Sequence, residues 1–464
     1  MPDREWSAGI LRGHTGACPH RISRVHAKKP SPLVQPSNPE HPHLTHAVTM
    51  AVTEQQLHIM VIEAHRWLPR PVTTTPRSCD STYRYFDGGS FEKSVEWMWH
   101  RCRSGIAVSI RNGELALFVP FCNPNYTNTW SVRARSLVPR VGLPPDRWWA
   151  NGWTLCGDVT SKQLWGDQGV CAIQNMIMFA CQYGIMSDCD FIVNKRDSSC
   201  IRLDGCDAMN PLDAYQQPMF RPPLVPVLSP YTGDQFADIT MPLATDWHRT
   251  SYGSFNGQRP QPLHIRPKPI PWDDKLPCAS FRGSLTGTGG CRYTNQRIAL
   301  LHHHNGSTLD LLATSANRRL RYCPIGKAVV IPQPGTLDVG KQNYLPMHIQ
   351  QEHYQFSVTV DGHSGADRLG TLASGNQCIL KVAPPAHALC PDTWASLRMH
   401  AWEHYIPVSS QMHDLQEKLD WAIARPDVCK RLLYNCRLWA DRERADVLDW
   451  WVDATRSMSQ LNYS

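Results

Sequence analysis

The chain has 464 residues, 42% of them hydrophobic and 19% charged. That is two or three domains at roughly 100–200 residues each, in the composition range of a folded globular protein. The net charge of +7 suits an anionic substrate, and without any Lys/Arg run of five or more it argues against a nucleic-acid partner. No 18-residue apolar run occurs, so no transmembrane helix is expected. The first 49 residues are polar and rich in His and Pro, and lack the apolar region of a signal peptide. They read as a disordered leader. The expected compartment is the cytoplasm, or the secretory lumen if the N-terminus is incomplete. The 17 cysteines include no CxxC pair, so neither a zinc site nor a disulfide framework is called for.

In chain order, EQQLHIMVIEAHRWL has the apolar spacing of a helix. Residues 105–121 read as a hairpin turning at Arg111-Asn112-Gly113. Residues 161–184 read as a helix that stops at Gly184. DFIV, after Asp188-Cys189, is a short buried strand, and it places Asn194, Lys195, Arg196 and Asp197 at its carboxyl end. Ligands bind at that end in open α/β sheets. Residues 210–272 are proline-rich and irregular, with an interdomain connection expected near 250–272. A second strand–helix alternation follows: CASFRGS as strand into loop, a helix from Asn295, the strand YQFSVTVDG, a helix in DRLGTLASG closed by Gly375, and the strand QCILKV. The tail is helical from about 411. Two such alternations predict an α/β fold with two Rossmann-like halves.

FRGSLTGTGG, residues 281–290, is neither a Walker loop nor GxGxxG. Read alone, it is either a flexible surface loop or a phosphate cradle. In the second case backbone N–H groups form a concave anion site, a nearby helix adds its dipole, and Arg282 supplies a charged fork. Asp197 in NKRD is either part of a solvated charge cluster or a general base at a ligand edge. Arg368 is either a surface arginine or a second cation for the same phosphate. Asp188-Cys189-Asp190 has the DxD form of some metal-holding sugar-nucleotide enzymes, but it precedes its strand and reads as a turn. The adjacent His302, His303 and His304 cannot all face one metal from a helix. The 17 tryptophans are read as core, one by one, before any role in stacking on sugars.

Taken together and in order, five stretches resemble glycosyltransferase family 90, which includes the protein O-glucosyltransferases. They are FIVNKRD; FADITMP with TDW; WDDKLPCASFRGSLTG followed by QRIAL; FSVTVDG with DRLGTLASGNQCILKV; and HYIPVSSQMHDLQEKLDWA. The N-terminal part, with CNPNYTNTW, looks more like members from large DNA viruses and algae than like the animal enzymes. The resemblance implies a GT-B arrangement of two Rossmann-like domains facing across a cleft, with C-terminal helices. It divides the chain into the leader 1–49, an acceptor and base domain 50–255, a UDP-sugar-binding domain 256–410, and helices 411–464 packing back on the core. It implies inverting transfer from a UDP-sugar to a protein or glycan hydroxyl, with no cofactor and no metal. Asp197 matches the family's proposed catalytic base. Arg282 matches its donor-diphosphate arginine, with Gly283, Ser284 and Thr286 in the same donor loop, and Arg368 matches the second diphosphate arginine. The chain departs from the family at Ser198-Ser199, usually an aromatic and a proline, and at Ala366, usually a serine. Two other readings stay open: a non-catalytic sugar- or nucleotide-binding module on the same fold, and an unrelated nucleotide-dependent enzyme such as a kinase. The missing Lys after the glycines argues against the kinase.

Overall fold

A computed structural model describes residues 54–71, 83–102, 104–122, 168–184, 186–194, 198–203, 224–250, 270–317, 321–323, 328–330 and 335–461. The hairpin forms as expected: β1 (Ser104–Arg111) and β2 (Glu114–Cys122) pair antiparallel. Asn112 and Gly113 both have positive φ, at 53° and 74°, as a two-residue turn between twisted strands requires. On its other side β1 pairs antiparallel with β3 (Cys189–Val193), so β1 is buried along its whole length. Then β3 pairs in parallel with β4 (Val227–Ser229). After β5 (Tyr231–Thr232), β6 (Ile239–Thr240) closes the sheet, in the order β2-β1-β3-β4-β6. This half is therefore a mixed sheet. Four of its strands share a direction and β1 alone runs against them, because β1 is antiparallel both to its hairpin partner β2 and to β3.

The second half fits the parallel pattern more closely. The strands β7 (Leu276–Ser284) and β8 (Leu309–Ser315) form one arm, and a small antiparallel ladder of β9 (Arg321–Cys323) and β10 (Ala328–Val330) follows. Then β11 (Tyr354–Thr359) and β12 (Cys378–Val382) form the other arm. The short β13 (Asp392–Thr393) pairs antiparallel with β5 of the first half, and β14 (Ile406–Val408) completes the second sheet. Its order is β14-β12-β11-β7-β8, parallel throughout. The chain lays β8 on one side of β7 and then returns to add β11 on the other. That reversal puts a topological switch point between β7 and β11, where open α/β sheets bind ligands beyond the strands' carboxyl ends.

Each sheet has its own apolar core, and one helix crosses both. Pro426–Met458 runs 33 residues, about 50 Å at 1.5 Å per residue. Cys429, Leu432 and Leu433 enter the core of the second sheet. Cys436, Trp439, Val447, Leu448, Trp451 and Met458 enter the core of the first. Among the described residues, no helix is long and apolar enough to cross a membrane.

Candidate active site

The strand β7 does not stop before the arginine of FRGS; it runs through Ser284. Side chains therefore alternate across the sheet from Phe281 to Ser284. Arg282 turns back along the sheet, where its Nη2 lies 2.6 Å from Asp310 Oδ2 and its Nη1 donates to Asp310 O at 2.7 Å and to Phe281 O at 2.9 Å. Tyr354 donates to the same Asp310 oxygen at 2.5 Å. The Arg282 side chain is only 8% exposed. Its fork is thus satisfied by a carboxylate on the neighbouring strand.

Arg368 differs. It is the first residue of the helix Arg368–Ala373, which follows β11 across the switch point. Its Nη1 donates to Arg282 O at 2.8 Å, and its guanidinium lies 5.2 Å from the centre of the Phe281 ring. Among the described residues, no carboxylate comes within ion-pair distance of it. Burial holds its pKa below the ordinary arginine value, with only the neighbouring Asp367 opposing. A withdrawn cation without a counter-charge costs stability, and an incoming anion removes that cost. Gly283 makes the arrangement possible: a Cβ there would sit 2.9 Å from Phe281 Cζ and 3.1 Å from Arg368 Nη2. The two expected diphosphate arginines are adjacent through backbone, but their guanidinium groups do not converge.

The glycine-rich segment beyond Ser284 is fastened in place. Asn295 caps the helix Gln296–Leu301, accepting from Arg297 N at 3.0 Å and Ile298 N at 3.1 Å. Its Nδ2 reaches the Thr286 and Gly289 carbonyls, both at 3.4 Å. The helix's first donors are therefore spent on the protein's own cap, and the expected dipole contribution from this helix is not free for a ligand. Arg297 then bridges the switch point: it donates to Ser284 O at 3.0 Å, Asp361 O at 3.1 Å and Val360 O at 3.3 Å. Gly287, Gly289 and Gly290 are buried. The stretch is a built loop rather than a loose one. Gly287 and Thr288 line a cleft with Asp361, Gly362, His363 and Cys390.

The edge of the first sheet meets this cleft. Asp197, with Lys195 and Arg196, lies outside the described residues, but both flanks are described. On one side Asn194, buried at the end of β3, donates to Ser198 O at 2.7 Å and Ser229 Oγ at 3.0 Å. On the other, Ser199 Oγ donates to Tyr231 O at 2.5 Å and Ser199 N lies 3.4 Å from Cys390 Sγ. A proline at 199, usual in the family resembled, could not make that second contact. Buried Asp238 fixes the next residues, accepting from Cys200 N at 2.9 Å, Ile201 N at 2.7 Å and Ser229 Oγ at 2.5 Å. Close by, the β5–β13 ladder joins the two halves, and a Cβ on Gly233 would strike Leu389 O at 2.4 Å.

Asp188 and Asp190 are committed at the opposite, amino end of β3. Asp188 accepts from Asn112 N at 2.7 Å, and Asp190 is buried against Arg111 and His65, each at 3.0 Å. Among the described residues, no cluster of three or more His, Cys, Asp or Glu converges on a metal position. Arg297, Asn295, Asp238 and Asp361 are the site residues that sequence reasoning passed over. All four stand in or beside stretches that carried the family resemblance (QRIAL, FADITMP, FSVTVDG). None has a chemical signature of its own, because each acts on backbone that only the fold brings near.

An uncharacterized protein, 035R, of Invertebrate iridescent virus 3 is 29% identical over 395 residues, covering 76% of this chain and 35% of its own length. An uncharacterized protein, 027R, of Frog virus 3 is 26% identical over 437 residues, covering 84% of this chain and 44% of its own. The chain thus spans less than half the length of these viral relatives. A shorter match, 32% over 87 residues, links 19% of this chain to 16% of protein O-glucosyltransferase 3 of Rattus norvegicus. The family model described as glycosyl transferase family 90 matches residues 161–461, which contain the switch point, both arginines and the crossing helix. The chain belongs to glycosyl transferase family 90.

Proposed function

We propose that this chain transfers a sugar, with inversion, from a UDP-sugar to a hydroxyl of a protein or glycan acceptor. The observation that carries the reading is Arg368: a withdrawn guanidinium with no carboxylate partner among the described residues, at the switch point of a parallel sheet. On this reading Arg368 takes the donor diphosphate, beside Gly283, Ser284 and Thr286. Arg282, paired with Asp310, orients Arg368 through its carbonyl and adds its charge to the same region. The base on this reading is Asp197. It takes the proton of the acceptor hydroxyl as that oxygen bonds to the anomeric carbon. The bond from that carbon to the β-phosphate oxygen breaks on the opposite face, and UDP leaves with the electron pair. Charge then grows on the phosphate, where a preorganised cation is worth most. In this reading the two sheets are the two halves of a GT-B enzyme, and no metal is required.

The test is transfer from a panel of UDP-sugars to a mixed protein and glycan acceptor library. Wild type is expected to transfer at least one sugar. Asp197→Asn is expected to lose transfer by 10²-fold or more while still binding UDP, the scale of a positioned base. Transfer should survive EDTA. Retained transfer in Asp197→Asn removes that residue as base. Activity lost in EDTA and restored by manganese contradicts the metal-free step. UDP binding with no turnover of any donor makes the chain a binding module.

A further inference from the structure

We infer that Asp361 recognises the ribose of the donor nucleotide, through a carboxylate oxygen that the fold leaves without a partner. The inference rests on the donor reading above and adds a contact to it. Asp361 lies just beyond β11, at the carboxyl edge of the second sheet, and lines the cleft with Gly287, Thr288 and Gly362. It is held rigidly. Its backbone carbonyl accepts from Arg297 Nε at 3.1 Å, and its Oδ1 accepts from Ala366 N at 2.9 Å. Its Oδ2 is buried and, among the described residues, has no hydrogen-bond partner. Burial raises its pKa above the usual aspartate value, and nearby Lys381 only partly offsets this.

Buried polar atoms are nearly always satisfied, so an orphan on a fixed side chain in a cleft needs an explanation. A structural carboxylate would use both oxygens, as Asp238 does on Cys200 N, Ile201 N and Ser229 Oγ. The diphosphate is a poor partner, since like charges repel and Arg368 already supplies its counter-charge. The next group along a nucleotide is the ribose, whose hydroxyls are donors. The transferred sugar, at the other end of the diphosphate, must turn toward the first sheet's edge to meet its acceptor. Asp361 is fastened instead to the second sheet, through Arg297 and Ala366.

Calorimetric titration of UDP, 2′-deoxy-UDP and 3′-deoxy-UDP into the full chain and into Asp361→Asn tests this. The variant keeps an acceptor for Ala366 N and turns the orphan acceptor into a donor. Wild type is expected to bind one of the deoxy analogues at least tenfold more weakly than UDP, because a site built to pair a hydroxyl rejects the analogue lacking it. Asp361→Asn, whose amide can meet the hydroxyl only through a weaker neutral hydrogen bond, is expected to narrow that gap by at least about threefold. If wild type binds all three alike, or the variant discriminates as wild type does, the inference is overturned while the donor reading stands. If folded wild type binds no UDP, both are overturned. Should the variant fail to fold, the wild-type comparison alone decides.

Discussion

Replacing Arg282 and replacing Arg368 should have opposite consequences for the fold. Arg282→Met strips Asp310 of its guanidinium and leaves a half-buried carboxylate with Tyr354 alone. An expected loss of about 1–3 kcal/mol, read by urea unfolding, follows from the cost of an orphaned polar group. Arg368→Met removes a cation that has no carboxylate at ion-pair distance among the described residues, at the expense of one hydrogen bond to Arg282 O. Replacing an uncompensated buried charge by an apolar chain is neutral or stabilising, so its unfolding midpoint should match or exceed wild type. If Arg368→Met lost as much stability as Arg282→Met, Arg368 would be a structural arginine. The sequence marked both positions equally, because a single arginine in a strand and one at a helix start carry no sign of their partners. Asp310 and Phe281, which separate their roles, are set by the parallel register of β7 and β8.

Among the elements, the crossing helix carries a buried network at its middle. Arg249 pairs there with Glu443 of the helix and with Asp246, at 2.8 Å, from its own helix Ala244–Thr250. Arg249 also reaches Thr371, at 3.3 Å, on the helix that Arg368 begins. One cation faces two buried carboxylates, and Asp367, Asp446 and Arg398 act on them from further off. Burial outweighs Arg249 and raises Glu443 from the usual 4.5 to about 7. The folded state therefore holds this proton more tightly than the unfolded one. Between pH 4.5 and 7 it binds more protons, so Glu443 lowers stability as pH rises through that window, and the slope vanishes above it. Glu443→Gln should accordingly flatten the fall in melting temperature between pH 5 and about 7.5, measured by calorimetry. An unchanged or steeper fall would contradict the assignment. The crossing helix was legible from apolar spacing, but the helix Ala244–Thr250 and the short strands β4, β5 and β6 were not, because residues 210–272 read as proline-rich and irregular. Nor was the charge network, since Arg249 and Glu443 stand 194 residues apart in sequence and only the fold brings them together.

At the scale of the molecule, the proposed chemistry rests on two features: the switch point of the second sheet, and the β5–β13 ladder that joins the first half to the second. The alternation of strands and helices foretold two halves. The turn at Asn112-Gly113 foretold the antiparallel hairpin, but nothing in the spacing foretold that β1 would also pair antiparallel with β3 and so join the hairpin to the parallel strands. Nor did it show the ladder, whose two-residue strands are too short for any period. Trp247, Trp394 and Trp451 proved fully buried, in line with the reading of tryptophan as core, while Trp67 at 88% exposure departs from it. The family was legible because five stretches fell in order, and three of them contain all or part of β3, β7 and β11. On the proposed reading, Arg368 waits for the donor diphosphate. Calorimetric titration of UDP into wild type and Arg368→Met tests it most directly. The account requires wild type to bind and the variant, folded and equally stable, to bind at least tenfold more weakly, the scale of one lost charge-assisted hydrogen bond. Equal affinity in the two proteins would contradict it.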